Sequence, residues 1–572
     1  MTARSQFSDT VALLERLERL TTECFVESEP DAFMNMALFL IGRHLKGMLV
    51  TPTSLARAAR IPYTTATRRV KAMRDGGYLV FRPRTPTGRT YSVHPSAKLI
   101  AHMLDYATRA EAILAHAPTP LSGSADQRRA RIIPPPATAG ETLGAGRGLD
   151  ILLPRDPAYA VSKGLKRELS YLMGGRVRFH DATIEGLRRE GLRNAQRKRS
   201  KYDIIAVDLP LVGEFVAVDA LLPLDAMEGE DTITRDDFYS AAWRSTLVNT
   251  VQYAVPILIN PEILFFRKDV LERAGIAPPT TTAELLAAGR ALHAPSRGFY
   301  GVSWTGGESG PVGQAFIQFL ADFGQPVLNL ERAIDGFKTA NVAVAGLKPM
   351  IDTPRGHATA RFMQALLKVS PPDVLDLSWG DQVGMLREGR VAMAYEWASR
   401  ASQLHRAKQV RDLGFLPHPV GVTGHDGRRR KTLAPIGGFA LGIPANVAPA
   451  QVQTAWRAIE WLASAEVIKA LVRQGGYVTP RFSVAADPEV RRLSPMIAAV
   501  DEMAKAGQVR LWPRPPVAQF SAIVAIVGEE IHAMLRGDKT RPTALADAQR
   551  RVADAMNETL TIASKPSRIC SG

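Results

Sequence analysis

Apolar positions along the chain follow two regimes, separated by a stretch that follows neither. Up to residue 117 they recur at helical spacing. Val11, Leu14 and Leu17, with Leu13 and Leu20 widening the stripe, predict a helix over residues 9–20, and a second apolar helix is predicted over about 32–44. Leu55 and Ala58 then predict a short helix over 54–59, followed by a tight turn at Arg60, Ile61 and Pro62. Ala66, Val70 and Met73 form the buried face of a further helix, capped by Thr64 and running to about Arg74. Gly76 and Gly77 end it. Residues 78–82 and 90–93 read as strands flanking a Pro-Thr-Gly tip, and a last helix follows over about 96–116.

Residues 118–147 are dense in Pro, Gly, Ala and Ser, with a stiff spacer at Pro134–Pro136, and read as a linker. Gly140, Gly144, Gly146 and Gly148 precede a predicted strand, whereas a dinucleotide-binding turn follows one. From residue 148 short apolar runs alternate with helical patterns, the mark of an α/β domain. The organisation expected is 1–117, linker 118–147, a second domain over 148–564 and a tail over 565–572.

Composition narrows the function classes. The chain has 572 residues, 46% hydrophobic and 22% charged, enough for at least two domains with ordinary cores. Its two cysteines, Cys24 and Cys570, exclude a disulfide framework, a multi-cysteine zinc site and an iron–sulfur cluster. Glu15, Glu18 and Glu23 interrupt the first apolar stretch, so no secretory leader is read there, and the apolar runs at 33–41 and 522–527 are too short to span a bilayer. A cytoplasmic protein without a membrane partner is expected.

The formal net charge is +16, and residues 46–98 alone hold eleven Lys or Arg against Asp75. The helix, turn, helix and hairpin pattern with the run SLARAARIPYTTATRRVKAMRDGGYLV resembles the winged helix-turn-helix of MarR-type regulators, an α+β fold. The resemblance implies a double-stranded DNA operator as partner. Tyr63, Thr64, Thr65, Thr67 and Arg68 are then the base-edge candidates; Arg69, Lys71, Arg82, Arg84 and Arg89 neutralise phosphate. The flanking helices are candidates for a homodimer seam. The basic runs 188–201 and 428–431 read as solvated faces, with a second DNA contact left open.

Four segments of the second domain resemble family 1 extracellular solute-binding proteins, the sugar-capturing components of ABC importers: YDIIAVDLPLVGEFVAVDALLPLD, VPILINPEILFFRKDVLERAGIAPPTTTAELL, WGDQVGMLREGRVAMAYEWASR and IGGFALGIPANVAPAQVQTAWRAIEWLAS. The resemblance implies a two-lobed, periplasmic-binding-protein-like (type II) α/β domain closing on one ligand. Its motif positions name Asp208, Tyr253, Trp304, Trp379, Asp381, Glu396, Trp397, Gly438, Phe439, Tyr477 and Arg481 as ligand-binding candidates. Phe439 replaces the family's frequent Trp. Aromatic planes ringed by hydrogen-bonding groups suit a sugar or polyol, and a polyamine stays open.

No metal spacing, nucleophile elbow or cofactor motif is present; His180, His293 and His357 read as structural or surface residues, and the acids Asp381 and Glu396 as ligand contacts, not a catalytic pair. The expectation for the whole chain is a non-enzymatic, ligand-responsive transcriptional regulator. The alternative is the substrate-binding component of a sugar ABC importer.

Overall fold

The computed structural model describes residues 30–45, 48–84, 91–114, 133, 136, 148–155, 170–171, 174–227, 233, 235–333, 336–337, 346–404, 412–421, 432–475, 478–515 and 517–563. The chain divides into two compact units, Met1–Thr138 with Asp487–Glu489, and Ala139–Ala486 with Val490–Gly572. The predicted helix over 9–20, nearly all of the linker, and the run 428–431 lie outside the described residues.

The first unit begins with α1 (Pro30–Leu45) and α2 (Pro52–Ala58). Thr51 and Ser54 form a reciprocal capping box, 3.1 Å and 2.8 Å, which starts α2 two residues before the apolar pattern does. Arg60, in the left-handed region at φ 56°, makes the turn into α3 (Tyr63–Asp75). The expected cap at Thr64 is corrected. Pro62 precedes the helix without any side-chain cap, and its ring already fixes a φ compatible with a helix start. Strands β1 (Leu79–Pro83) and β2 (Tyr91–Pro95) pair antiparallel, and α4 (Ala97–Leu114) follows. Leu55, Ala66, Val70 and Met73 pack with Met36, Leu40, Leu79, Val93 and Leu99 in one core.

The described residues of the second unit form a five-stranded and a four-stranded sheet, beside three two-stranded ribbons. In the first, β3 (Leu149–Pro154), β4 (Val177–Ala182), β5 (Ile204–Asp208), β6 (Val255–Ile259) and β11 (Gly438–Gly442) lie in the order β4-β3-β5-β11-β6. Its first three strands are parallel, and β11 runs antiparallel to both neighbours. In the second, β7 (Glu262–Arg267), β8 (Tyr300–Ser303), β9 (Val391–Trp397) and β10 (Leu413–Leu416) lie in the order β8-β9-β7-β10. Every residue of β3, β6, β8, β9 and β11 is buried, which is why these strands read as mainly apolar runs instead of alternating ones, with Asp150, Ser303 and Glu396 the polar exceptions.

Helix α5 (Ile184–Ala195) follows β4; its Arg188 and Arg193 pair with Glu214 and Glu190, so part of the first basic run is engaged within the unit. Other helices used below are α7 (Gly310–Asp322), α9 (Asp381–Arg387) and α13 (Phe520–Arg536), with α6 (Thr282–Leu292) and α8 (Pro354–Leu367) in their chain places and α10 (Pro449–Leu462), α11 (Ala465–Gly475) and α12 (Pro495–Lys505) before α13. No described helix is long and apolar enough to cross a membrane.

Helix α7 is buried along its length and meets α13 through glycines. A Cβ on Gly313 would stand 2.0 Å from the Val524 carbonyl oxygen, and one on Gly528 1.8 Å from that of Ser309. Gly384, inside α9, has nothing within 4 Å. Gly528→Ala should therefore destabilise the protein by about 1–3 kcal/mol through overpacking. Gly384→Ala should stabilise it by about 0.5–1 kcal/mol through helix propensity. Urea denaturation monitored by circular dichroism checks both; equal effects of the two substitutions would contradict the packing described.

Candidate functional site

Strand register brings the chemistry to one place. Gly438 pairs with Ile259 and Phe439 with Asp208, so the carboxyl ends of β5 and β6 and the start of β11 share an edge. Trp397 pairs with Glu262, which puts the end of β9 beside the start of β7. Residues 260–261 alone separate β6 from β7, so these two edges meet where the chain crosses between sheets. Asn260 and Gly437 exchange backbone hydrogen bonds there, 2.7 Å and 3.1 Å, and Asn260 Oδ1 accepts from the Ser399 N–H at 2.8 Å.

Arg514 fills the centre of this junction. Its Nη1 donates to the Ile436 carbonyl at 3.0 Å and its Nη2 to Gln314 Oε1 at 3.1 Å, while Nη2 lies 3.5 Å from Asp208 Oδ2. The guanidinium carbon stands 5.2 Å from the centre of the Trp397 ring. Gly437 is required here, because a Cβ would fall 2.6 Å from Trp397 Cζ3 and 3.0 Å from Arg514 Nη1. Burial raises the Asp208 carboxyl above its ordinary value, and Arg514 opposes that rise.

Of the candidate ligand residues, Asp208, Trp397, Gly438 and Phe439 meet at the junction. Trp379, half-buried, lies against Gly310 at the start of α7, and the Arg400 guanidinium lies 3.5 Å from where a Cβ on the adjacent Gly380 would be. Glu396 is buried beside Trp397. Its Oε1 accepts the Trp397 N–H at 2.8 Å, its Oε2 has no partner among the described residues, and burial pushes its carboxyl up to about 7.

Other placements differ from the sequence expectation. Trp304 is fully buried, bonded to Ser370 Oγ at 3.0 Å and packed on Phe319; it is core, not a sugar platform. Asp381 is exposed and accepts the Ser378 N–H at 2.7 Å at the start of α9, a helix-start role. Arg481 stacks over Phe238 at 4.1 Å and bonds Asp237 and the Ala463 carbonyl, which commits it to structure. The Tyr253 carbonyl abuts Gly442, the far end of β11 from Gly438, about 13 Å along the strand. Tyr477 lies outside the described residues. A cavity of about 160 Å³ lined by Tyr239, Arg244, Val509, Arg510 and Trp512 among others contains none of the candidates.

Sequence reasoning missed Arg514, Gln314 and Asn260. An Arg flanked by prolines (Pro513, Pro515) and an Asn-Pro pair directly after an apolar run were the available signals.

It also missed a buried proton-bearing cluster next to the crossing. His418 Nδ1 lies 3.1 Å from Asp322 Oδ2, and His418 Nε2 lies 3.7 Å from Glu262 Oε2, with the imidazole packed on Tyr395 and Phe319. Burial pushes Glu262 up to about 7 and Asp322 up to about 6. For His418 burial works downward, but the two carboxylates raise the imidazole overall. Among the described residues no group of three or more His, Cys, Asp and Glu side chains is placed to hold a metal. His180 pairs with Asp150 at 2.8 Å and His357 with Asp352 at 3.0 Å.

In the first unit, Tyr63, Thr64, Thr65, Thr67, Arg68 and Lys71 are exposed on α3, and Arg69 is half-buried. Arg82, on β1, donates to the Pro136 carbonyl; Arg84 is exposed, and Arg89 lies outside the described residues.

Residues 174–469 match the model of the bacterial extracellular solute-binding protein family, and the chain belongs to that family. Among similar solved structures, an ABC transporter solute-binding protein from Agrobacterium radiobacter K84 in complex with ribitol is 23% identical, with a TM-score of 0.63 over 72% of this chain and 99% of that one. Maltose-bound MalE3 of T. maritima is 21% identical, TM-score 0.60, over 71% and 99%. An ABC transporter solute-binding protein from Agrobacterium vitis S4 with bound D-mannitol is 19% identical, TM-score 0.59, over 73% and 100%. At these identities the likeness establishes the two-lobed fold.

Two expectations are thereby corrected. Membership of an extracellular solute-binding family overturns the reading of the chain as a transcriptional regulator, and with it the cytoplasmic placement. The physical reason is that a basic helix and a polar first stretch are surface properties, which neither specify a function nor fix a compartment.

The buried acids generate a pH prediction. Carboxyls whose folded values lie above their unfolded ones bind more protons when folded, so their contribution falls as pH rises from about 4.5 through 7, by up to about 1.4 kcal/mol per pH unit per group. His418, raised as well, acts in the same direction above its unfolded value near 6.5. The melting temperature should be higher at pH 5.5 than at pH 8, and Glu262→Gln should shrink that difference. An unchanged difference in the variant would contradict the assignment.

Proposed function

We propose that the second unit captures a sugar or polyol between its two lobes and delivers it to an ABC importer, without catalysing any reaction. The observation that carries this reading is the junction itself: an aromatic plane, Trp397, beside an acceptor, Asp208, and a buried donor, Arg514, at the crossing between two sheets. Polyhydroxylated molecules present C–H faces to aromatic planes and hydroxyl edges to such groups. The fold shared with proteins solved with ribitol and D-mannitol supports the same ligand class. Glu396, Trp379, Gly438 and Phe439 are proposed as the surrounding wall. Thermal-shift measurement against ribitol, D-mannitol, monosaccharides and maltose tests the reading; a ligand at one hundred times its Kd should add about 2.7 kcal/mol. Asp208→Asn and Trp397→Ala should each weaken the best ligand ten- to a hundredfold, the scale of a charged hydrogen bond or a stacking plane. A panel without a single stabilising sugar or polyol would contradict it.

A separate proposal concerns contact alone and carries no claim of regulation. The exposed Lys71 and Arg84 with half-buried Arg69, on a helix-turn-helix with a hairpin, suit the phosphates of duplex DNA in a winged-helix arrangement. Tyr63, Thr64, Thr65, Thr67 and Arg68 would lie toward the bases, and the homodimer is proposed with it. Fluorescence anisotropy with a random duplex should give binding that weakens with salt. Arg69→Ala with Lys71→Ala should lower the log–log salt slope by about 2. Binding that is absent in the unaltered protein at low salt would refute the contact.

A further inference from the structure

Arg514 reaches the junction from residues 511–515, and the way its donors are spent is informative. One Nη donates to the Ile436 carbonyl and the other to Gln314, with Asp208 beside the latter at 3.5 Å. Its Nε–H is buried and has no acceptor among the described residues, on a side chain only 5% exposed. A buried, charged donor left without an acceptor is costly unless something completes it. The elements around it supply three different kinds of group: a carboxylate from the end of β5, an amide from α7 and a ring from the end of β9.

Resting on the sugar or polyol reading, we infer that Arg514 is the positioning residue of the capture site: it holds Asp208 as an ionised, acceptor-only carboxylate for ligand hydroxyls, and offers its Nε–H to a ligand oxygen. An ionised carboxylate accepts from several hydroxyls at once, whereas a protonated one spends an oxygen as donor. Asp208 is buried enough that desolvation alone raises its carboxyl, and the groups opposing that rise are Arg514 and the Leu209 N–H. Removing the cation therefore leaves the effect of burial less opposed and raises the carboxyl further, so a larger share of Asp208 is protonated at any given pH. A polyol then loses its strongest acceptor until the pH is raised.

Other charges near the junction titrate in the same range, and the test has to separate them. Arg514 also senses Glu262 on β7; Glu262 faces His418 and, beyond it, Asp322, and Glu396 on β9 faces Arg400. All of them are present in every variant compared below.

The experiment is isothermal titration calorimetry of the full chain with ribitol and with D-mannitol from pH 5.5 to 8.5, for the unaltered protein, Arg514→Gln, Asp208→Asn and the double variant. In Arg514→Gln the affinity should climb with pH by up to tenfold per unit beyond any slope of the unaltered protein. The double variant should show no slope beyond that of Asp208→Asn, and Arg514→Lys, which keeps the cation, should recover part of the loss. A profile of Arg514→Gln matching the unaltered protein, or a double variant that keeps the slope, would overturn the inference. The same four proteins melted without ligand over the same pH range give an independent arm. Arg514→Gln should lose melting temperature with rising pH more steeply than the unaltered protein, and the double variant should not. Failure of every polyol and sugar to bind, with this ligand-free pattern intact, would sink the ligand class and leave the role of Arg514 standing. Where Arg514→Gln does not fold, Arg514→Lys carries both arms with the same sign and a smaller slope.

Discussion

A guanidinium buried where two sheets meet is the constraint to which the rest of this molecule answers. A cation withdrawn from water persists only if paired and hydrogen-bonded. For Arg514 the partners come from distant parts of the chain: Asp208, Gln314, the Ile436 carbonyl and the face of Trp397. Each must arrive from its own element, so the register that sets Phe439 opposite Asp208, and Trp397 opposite Glu262, is tied to the same charge. Gly437 follows from it, since the space a side chain would need holds the Trp397 ring and the guanidinium. Packing against this centre is close on the other side as well, where α7, which carries Gln314, meets α13 backbone to backbone at Gly313 and Gly528.

Around that fixed charge the interior holds carboxyls that do not behave as ordinary acids. Glu262, Asp322 and Glu396 are all raised toward neutrality by burial, and His418 sits between the first two. Their protons are therefore part of the folded state's electrostatic balance. Glu396 also fixes the backbone of Trp397, so one of these acids is joined directly to the aromatic wall of the site.

How far this could be read from the sequence depended on whether the deciding interaction was local. Helix faces such as Ala66, Val70 and Met73, and the buried strands, were legible because periodicity and apolar runs are local signals. A capping box between Thr51 and Ser54 starts α2 before the apolar pattern does, and Pro62, which has no side-chain acceptor, stands where α3 begins. Motif position names Asp208, Trp397, Gly438 and Phe439, which strand register sets at one junction. It names Trp304 and Arg481 as well, whose bonds to Ser370 and Asp237, remote in the chain, place them in structural roles. Arg514 and Asn260 carry no motif at all, because their roles come from long-range register. A winged helix-turn-helix resemblance and the basic charge of residues 46–98 suggest a regulator, and family membership overturns that reading.

The most direct measurement of the central claim is tryptophan fluorescence of the full chain titrated with ribitol and D-mannitol, beside Trp397→Phe. A saturable change that reaches a one-to-one end point, and that is much reduced in Trp397→Phe, is the predicted result. A flat titration with both polyols, or a saturable change that persists unaltered in Trp397→Phe, would contradict capture at this junction.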